Sequence, residues 1–83
     1  MLQRETGYAH FARGELSTAA KAFRAALDKN GGDGVTHMRL GEVLARMDQS
    51  NQAERHLDLA LRADPHAHDA LATKAILLSK RGA

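Results

Sequence analysis

The residues that invite a chemical reading are the stretch DKNGGDG at 28–34 and five histidines. The stretch carries acidic and amide side chains in the manner of a calcium loop. Such a loop needs a glycine at its sixth position for the sharp turn and a glutamate at its twelfth to grip the ion. Counted from Asp28, those places hold Asp33 and Arg39. A guanidinium repels a cation where a carboxylate should hold it, so calcium binding is not expected. His66 and His68 lie in a loop after Pro65, and two ligands do not complete a zinc site. His56 is expected on an exposed helix face, and His10 and His37 at packing positions. Ser17, Ser50 and Ser79 fall at caps or helix ends, and no base–acid pair accompanies any of them. The chain therefore reads as no enzyme, with no metal and no cofactor.

The bulk composition narrows the classes further. Eighty-three residues make one small domain of modest stability. The absence of cysteine removes disulfides and thiolate metal sites. Twelve Lys/Arg against ten Asp/Glu leave a net charge of +2, spread in alternation rather than in a block. That is the pattern of solvated helix faces, not of a surface that tracks a phosphate backbone, so no nucleic-acid partner is expected. No apolar run approaches the ~20 residues of a membrane span, and the opening MLQRETGYAHFARG lacks the apolar core of a signal peptide. The expectation is a soluble cytoplasmic chain without a membrane partner.

The elements are helices. Ala19, Ala22, Phe23, Ala26 and Leu27 follow the i, i+3, i+4, i+7, i+8 spacing of one helix face. Ala53, Leu57, Ala60 and Leu61 repeat it, Leu40, Val43, Leu44 and Met47 form a third stripe, and Leu71, Ala75 and Leu78 a fourth. Gly14, the NGGDG stretch, the short polar Met47–Ser50 turn and Asp64–Pro65 supply the breaks. The spacing predicts helices over 2–13, 16–29, 35–47, 50–63 and 68–80, with short connections that make neighbours antiparallel. Ser17 and Asn51 are candidates for capping in the first turns of the second and fourth.

Laying Gly7 over Gly41 superposes the two halves without insertion. In that register Ala19 meets Ala53, Phe23 meets Leu57, Ala26 meets Ala60 and Leu27 meets Leu61. The same step taken again lays Leu71 over His37, Ala75 over Gly41 and Leu78 over Leu44. A fixed period of about 34 residues signals stacked helical hairpins. Phe23 and Leu57 are the expected fillers between helix pairs, with Gly41 and Ala75 as points of close approach.

The pattern His37-x2-Leu40-Gly41-x2-Leu44, then Ala53-x3-Leu57-x2-Ala60, then Pro65, resembles the tetratricopeptide repeat. The first unit matches at Gly7, Ala19, Phe23 and Ala26, but Gln3, Thr6 and His10 stand where bulkier residues are usual. The resemblance implies an all-α solenoid of five antiparallel helices in a right-handed superhelix. Its units are repeat one at 1–33, repeat two at 34–67, and a half repeat or capping helix at 68–83, together one domain of 1–83. It also implies a function: a non-catalytic scaffold whose first helices line a concave groove for a peptide or protein segment.

On that reading the groove residues are Arg4, Tyr8 and Phe11, then Met38, Glu42, Ala45 and Arg46, then Ala72, Ile76, Ser79 and Lys80. The groove is aromatic at one end, charged in the middle and aliphatic-basic at the other, and suits an apolar peptide with an acidic residue. Tyr8 and Phe11 have a second reading, as fillers of the first repeat's own core. The two-base clamp by which some family members hold a terminal carboxylate is incomplete, because Tyr8, Asp69 and Thr73 stand at its places. The last helix has no following partner within the sequence, so Leu71, Leu77 and Leu78 are expected to have an uncovered side and to support a homodimer. The opening methionine falls inside a repeat, which fits a segment excised from a longer, multidomain protein whose regulation it would serve.

Overall fold

The computed structural model describes the backbone of residues 3–29 and 33–82, with side chains within 6–29 and 33–80. The expected linker at Asn30–Gly32 and the side chain of Arg4 lie outside the described residues. Among the described residues five helices follow in order: α1 (Gln3–Ala12), α2 (Leu16–Lys29), α3 (Gly34–Arg46), α4 (Ser50–Ala63) and α5 (His68–Gly82). No strand occurs among the described residues. The helices pair as hairpins, α1 with α2 and α3 with α4, and stack through α2 on α3, while α5 rests on both α3 and α4.

Local chemistry sets the breaks. Gly14 takes a left-handed φ of +78°, which an L side chain adopts only at a cost, and turns the chain from α1 into α2. One repeat later Asp48 does the same job with φ 60°, a conformation that aspartate tolerates better than most residues. Asp33 caps α3: its Oδ1 accepts from the Val35 and Thr36 amides at 3.1 and 3.4 Å, and Oδ2 accepts from the Thr36 hydroxyl at 2.6 Å. That last bond lets Thr36 be fully buried. Ser17 and Asn51 sit one residue inside α2 and α4, and Gln49 precedes α4 without a side-chain capping bond. Pro65 holds Asp64 in extended backbone, so α4 stops at Ala63.

The core runs through the stack. Ala19, Ala20, Phe23, Leu40, Val43, Leu44, Ala53, Leu57, Ala60, Ala70 and Leu77 are buried together. Small residues let the helices close. A Cβ built on Gly41 would lie 2.8 Å from the Leu57 side chain and 3.3 Å from the Ala53 carbonyl oxygen. One on Gly7 would lie 2.6 Å from the Phe23 ring. Phe23 and Leu57, expected as fillers between helix pairs, thus also pack within their own hairpins, each against the glycine of the facing helix.

Two expectations about α5 need correction. Ala75 occupies the place of Gly41 but is exposed, because among the described residues no helix lies on α5 where α4 lies on α3. Leu77, placed on the uncovered side from sequence, is only 3% exposed. It stands one repeat after Val43, and like Val43 it points back into the stack.

Candidate functional site

The first helices of the pairs gather the residues expected in the groove. α1 offers Tyr8 and Phe11, both half-buried against the core. Tyr8 meets Phe23 edge to face, with centroids 5.6 Å apart, so the ring serves the core on one side. On its other side it meets α3, where the Arg39 guanidinium lies 5.5 Å from the Tyr8 ring centre. The Arg46 guanidinium lies over Phe11 at 4.6 Å. The two arginines therefore bridge α1 and α3 over aromatic rings that also pack beneath.

Arg39 Nη1 donates to Glu42 Oε1 at 3.0 Å, one helical turn on. Burial pushes the Glu42 carboxyl above its ordinary value; the charge and hydrogen bond of Arg39 oppose that rise, and Asp69 on α5 adds to it. Glu42 is half-buried between helices, where its charged form costs stability unless it remains paired.

Between α3 and α5 runs a furrow with a cavity at each end. One, of about 190 Å³, is lined by Glu42, Ala45 and Arg46 from α3 and by Thr73, Ile76 and Lys80 from α5, with Leu77 at its base. The other, of about 590 Å³, lies where α3 and α5 begin and α4 ends, and includes Val35, Met38, Ala63, Asp64 and Asp69. Ile76 is 56% exposed, an aliphatic side chain offered to solvent at the smaller cavity.

Most of the expected groove residues therefore share one surface. Glu42, Ala45, Arg46, Ile76 and Lys80 line one cavity, Met38 the other, and Tyr8 and Phe11 adjoin through the arginines. Ala72 and Ser79 are exposed and line neither cavity. Val35 lines the larger cavity and Arg39 adjoins through Tyr8 and Glu42, neither of them expected there, while Thr73, read from sequence only as a misfit at the clamp, lines the smaller cavity. The repeat offered a signal for one of them, since Thr73 falls one repeat after Arg39.

His56 departs from its expected exposure. It is half-buried on α4, with its ring stacked on His37 of α3 at 5.2 Å and the two Nδ1 atoms 3.0 Å apart. That contact requires one ring to donate and the other to accept. Burial holds the His56 imidazole below its ordinary value, and the nearby His37 and Arg24 push the same way. Among the described residues no group of three or more His, Cys, Asp or Glu is placed to hold a metal ion, and no helix is long and apolar enough to cross a membrane.

The surface combines paired charges, two shallow cavities and the exposed Ile76. The chain is 38% identical over 79 residues to "Cellulose synthase operon protein C" of Komagataeibacter xylinus, an alignment that takes in 90% of this chain and 6% of that protein. It is 34% identical over 68 residues to the protein of the same name from Komagataeibacter sucrofermentans, covering 82% of this chain and 5% of that one. The chain thus spans a small fraction of the length of these relatives. No solved structure gives a significant match. The tetratricopeptide-repeat profile matches residues 10–81. Repeats of this kind generally mediate binding between proteins and are generally non-catalytic. With the period, the glycine contacts and the profile in agreement, the chain belongs to the tetratricopeptide-repeat family.

Proposed function

We infer that this chain is a protein-interaction unit that holds a partner segment along the face of α1, α3 and α5, by shape and charge and without chemistry. The observation that carries this is the furrow between α3 and α5, with Ile76 exposed beside Glu42, Arg46 and Lys80. An exposed aliphatic residue flanked by basic groups suits a segment with an apolar side chain next to an acidic one. The curated relatives are products of a cellulose synthase operon, so the other products of such an operon are the first partners to try. On this reading the unit is one part of a longer protein.

The test is direct binding of peptides tiled across those proteins, with Ile76→Glu against Leu59→Glu as control. Leu59 is 39% exposed on α4, away from the furrow, so both variants should fold. Binding lost in the first and kept in the second supports the reading. Equal binding by both variants, with helicity intact, sinks it.

The uncovered face of α5 favours a second reading, a homodimer. Leu71 and Leu78 are 45% and 48% exposed, one helix face apart from the furrow, with exposed Ala75 between them. Leu77 leaves this set, being buried. Light scattering across a range of concentrations should show a dimer that Leu78→Glu dissociates. A monomer at every concentration removes this reading.

A further inference from the structure

The geometry points to a selective end of the furrow: the cavity where α3 and α5 begin is a receptor for a lysine or arginine side chain of the bound segment. This rests on the reading of the furrow as a partner site, and it adds a second charge of opposite sign to the segment and fixes its direction.

The cavity is shallow and open to solvent, with a volume of about 590 Å³, room for one long side chain lying along its floor. Val35, Met38 and Ala63 give it an apolar floor. Three carboxylates line it, Asp33, Asp64 and Asp69, beside His66 and His68 and with no lysine or arginine. Asp33 is engaged as the α3 cap, so its charge contributes field rather than an open acceptor. Asp64 accepts from the His66 amide through Oδ1 at 3.0 Å, which leaves Oδ2 for another donor, and Asp69 forms no ion pair among the described residues. An aliphatic stem ending in a cation matches both features, since such a side chain lays its methylenes on apolar surface and keeps its charge at a polar rim. Asp64 and Asp69 are exposed, so a purely aliphatic side chain would gain only the apolar floor, a cation would add their attraction, and an acidic one would be repelled.

The far end has the opposite sign. There Arg46 and Lys80 flank Ile76, and Glu42 is already paired with Arg39. From Val35 to Arg46 the helix rises roughly 16 Å. An extended segment covers that in about five residues at ~3.3 Å each. The segment so selected has a lysine or arginine about five residues from an aspartate or glutamate, with an apolar residue between them over Ile76. Reversing that order places like charges together at both ends.

The experiment uses the whole chain, immobilised, against a random peptide library about twelve residues long, enough to span the furrow. Enriched peptides are then synthesised and titrated by fluorescence anisotropy against the wild type, Asp64→Asn/Asp69→Asn and Ile76→Glu. The expected result is enrichment of basic–apolar–acidic spacing. The Asp64→Asn/Asp69→Asn variant should bind about tenfold more weakly, and acetylation of the peptide lysine should abolish that difference. Peptides that lose binding to Ile76→Glu but show no basic preference, and bind the double variant as well as the wild type, overturn the cation receptor while the furrow stands. Failure to enrich any peptide that Ile76→Glu releases overturns the furrow reading and this one together.

Discussion

α3 and α5 carry the same pattern one repeat apart, yet the same face meets opposite surroundings. On α3, Leu40, Gly41 and Leu44 are buried under α4, and Gly41 has no room for a single methyl. On α5, Leu71, Ala75 and Leu78 stand at the places of His37, Gly41 and Leu44 and are exposed. The opposite side of both helices behaves alike: Val43 and Leu77 are buried, as are Thr36 and Ala70. A repeat therefore specifies two faces on each first helix, one toward the preceding pair and one toward its own partner. Only the face whose partner is present gains burial. Tightness at Gly41 belongs to the hairpin and not to the helix.

The largest consequence is a contrast between equivalent leucines. Leu44→Ala removes a fully buried side chain from the α3–α4 contact, and should cost about 2–5 kcal/mol. A chain of this length has roughly 4–12 kcal/mol to lose. Urea unfolding followed by circular dichroism should show a large fall in midpoint. A midpoint unchanged from wild type would mean that α4 does not pack on this face.

Next is the close approach itself. Alanine in place of glycine favours a helix by about 1 kcal/mol where nothing opposes it. At Gly41 the added methyl meets a buried Leu57 side chain and a backbone oxygen, so either the hairpin or Leu57 must give. Gly41→Ala should therefore destabilise, by about 1–3 kcal/mol for overpacking. The reverse change on α5, Ala75→Gly, should cost only the helix propensity, about 0.5–1 kcal/mol. Stabilisation by Gly41→Ala in a thermal melt would break the comparison.

The same contrast explains what the sequence made legible. Phe23, Leu57, Gly41 and the two hairpins can be read because each packs against something one repeat supplies. Leu77 is misplaced when the missing partner of α5 is taken to uncover all its leucines; its register with Val43 assigns it to the buried side. His56 is misplaced for another reason. Its partner His37 lies across the hairpin on another helix, and periodicity along α4 does not report which side chain meets it. The groove residues of α3 and α5 are legible as one face, because the repeat period carries each position from one helix to the next. Arg39 is not, since its reach from α3 to the Tyr8 ring on α1 depends on a long side chain that crosses between helices.

The burial of His56 should make the α3–α4 hairpin sensitive to acid. His37 faces His56 from α3, and Arg24 acts on it from α2. The folded state holds His56 below the ordinary value of 6.5, so between that value and the lower folded one the unfolded chain binds more protons. The contribution is fully present above 6.5 and is lost as pH falls toward the folded value. Melting temperature should therefore drop from about pH 8 to about pH 5, and His56→Gln should flatten that slope without changing its sign elsewhere. An identical pH profile in the variant would show that His56 does not titrate with folding.

The smallest effect sharpens the comparison most. Leu78 holds the place of Leu44 but is 48% exposed. In an isolated chain Leu78→Ala removes little buried surface, so the change should stay within about 0.5 kcal/mol. The measurement is the same urea titration as for Leu44→Ala, made at low and at high protein concentration. A small cost at both concentrations means that the α5 face is open and that the repeat position alone contributes nothing. A cost that grows with concentration means that a second chain supplies the missing cover, since association stabilises the folded state by mass action. In that case the face of α5 is equivalent to the face of α3 after all, and the difference between the two helices is only in which molecule brings the partner.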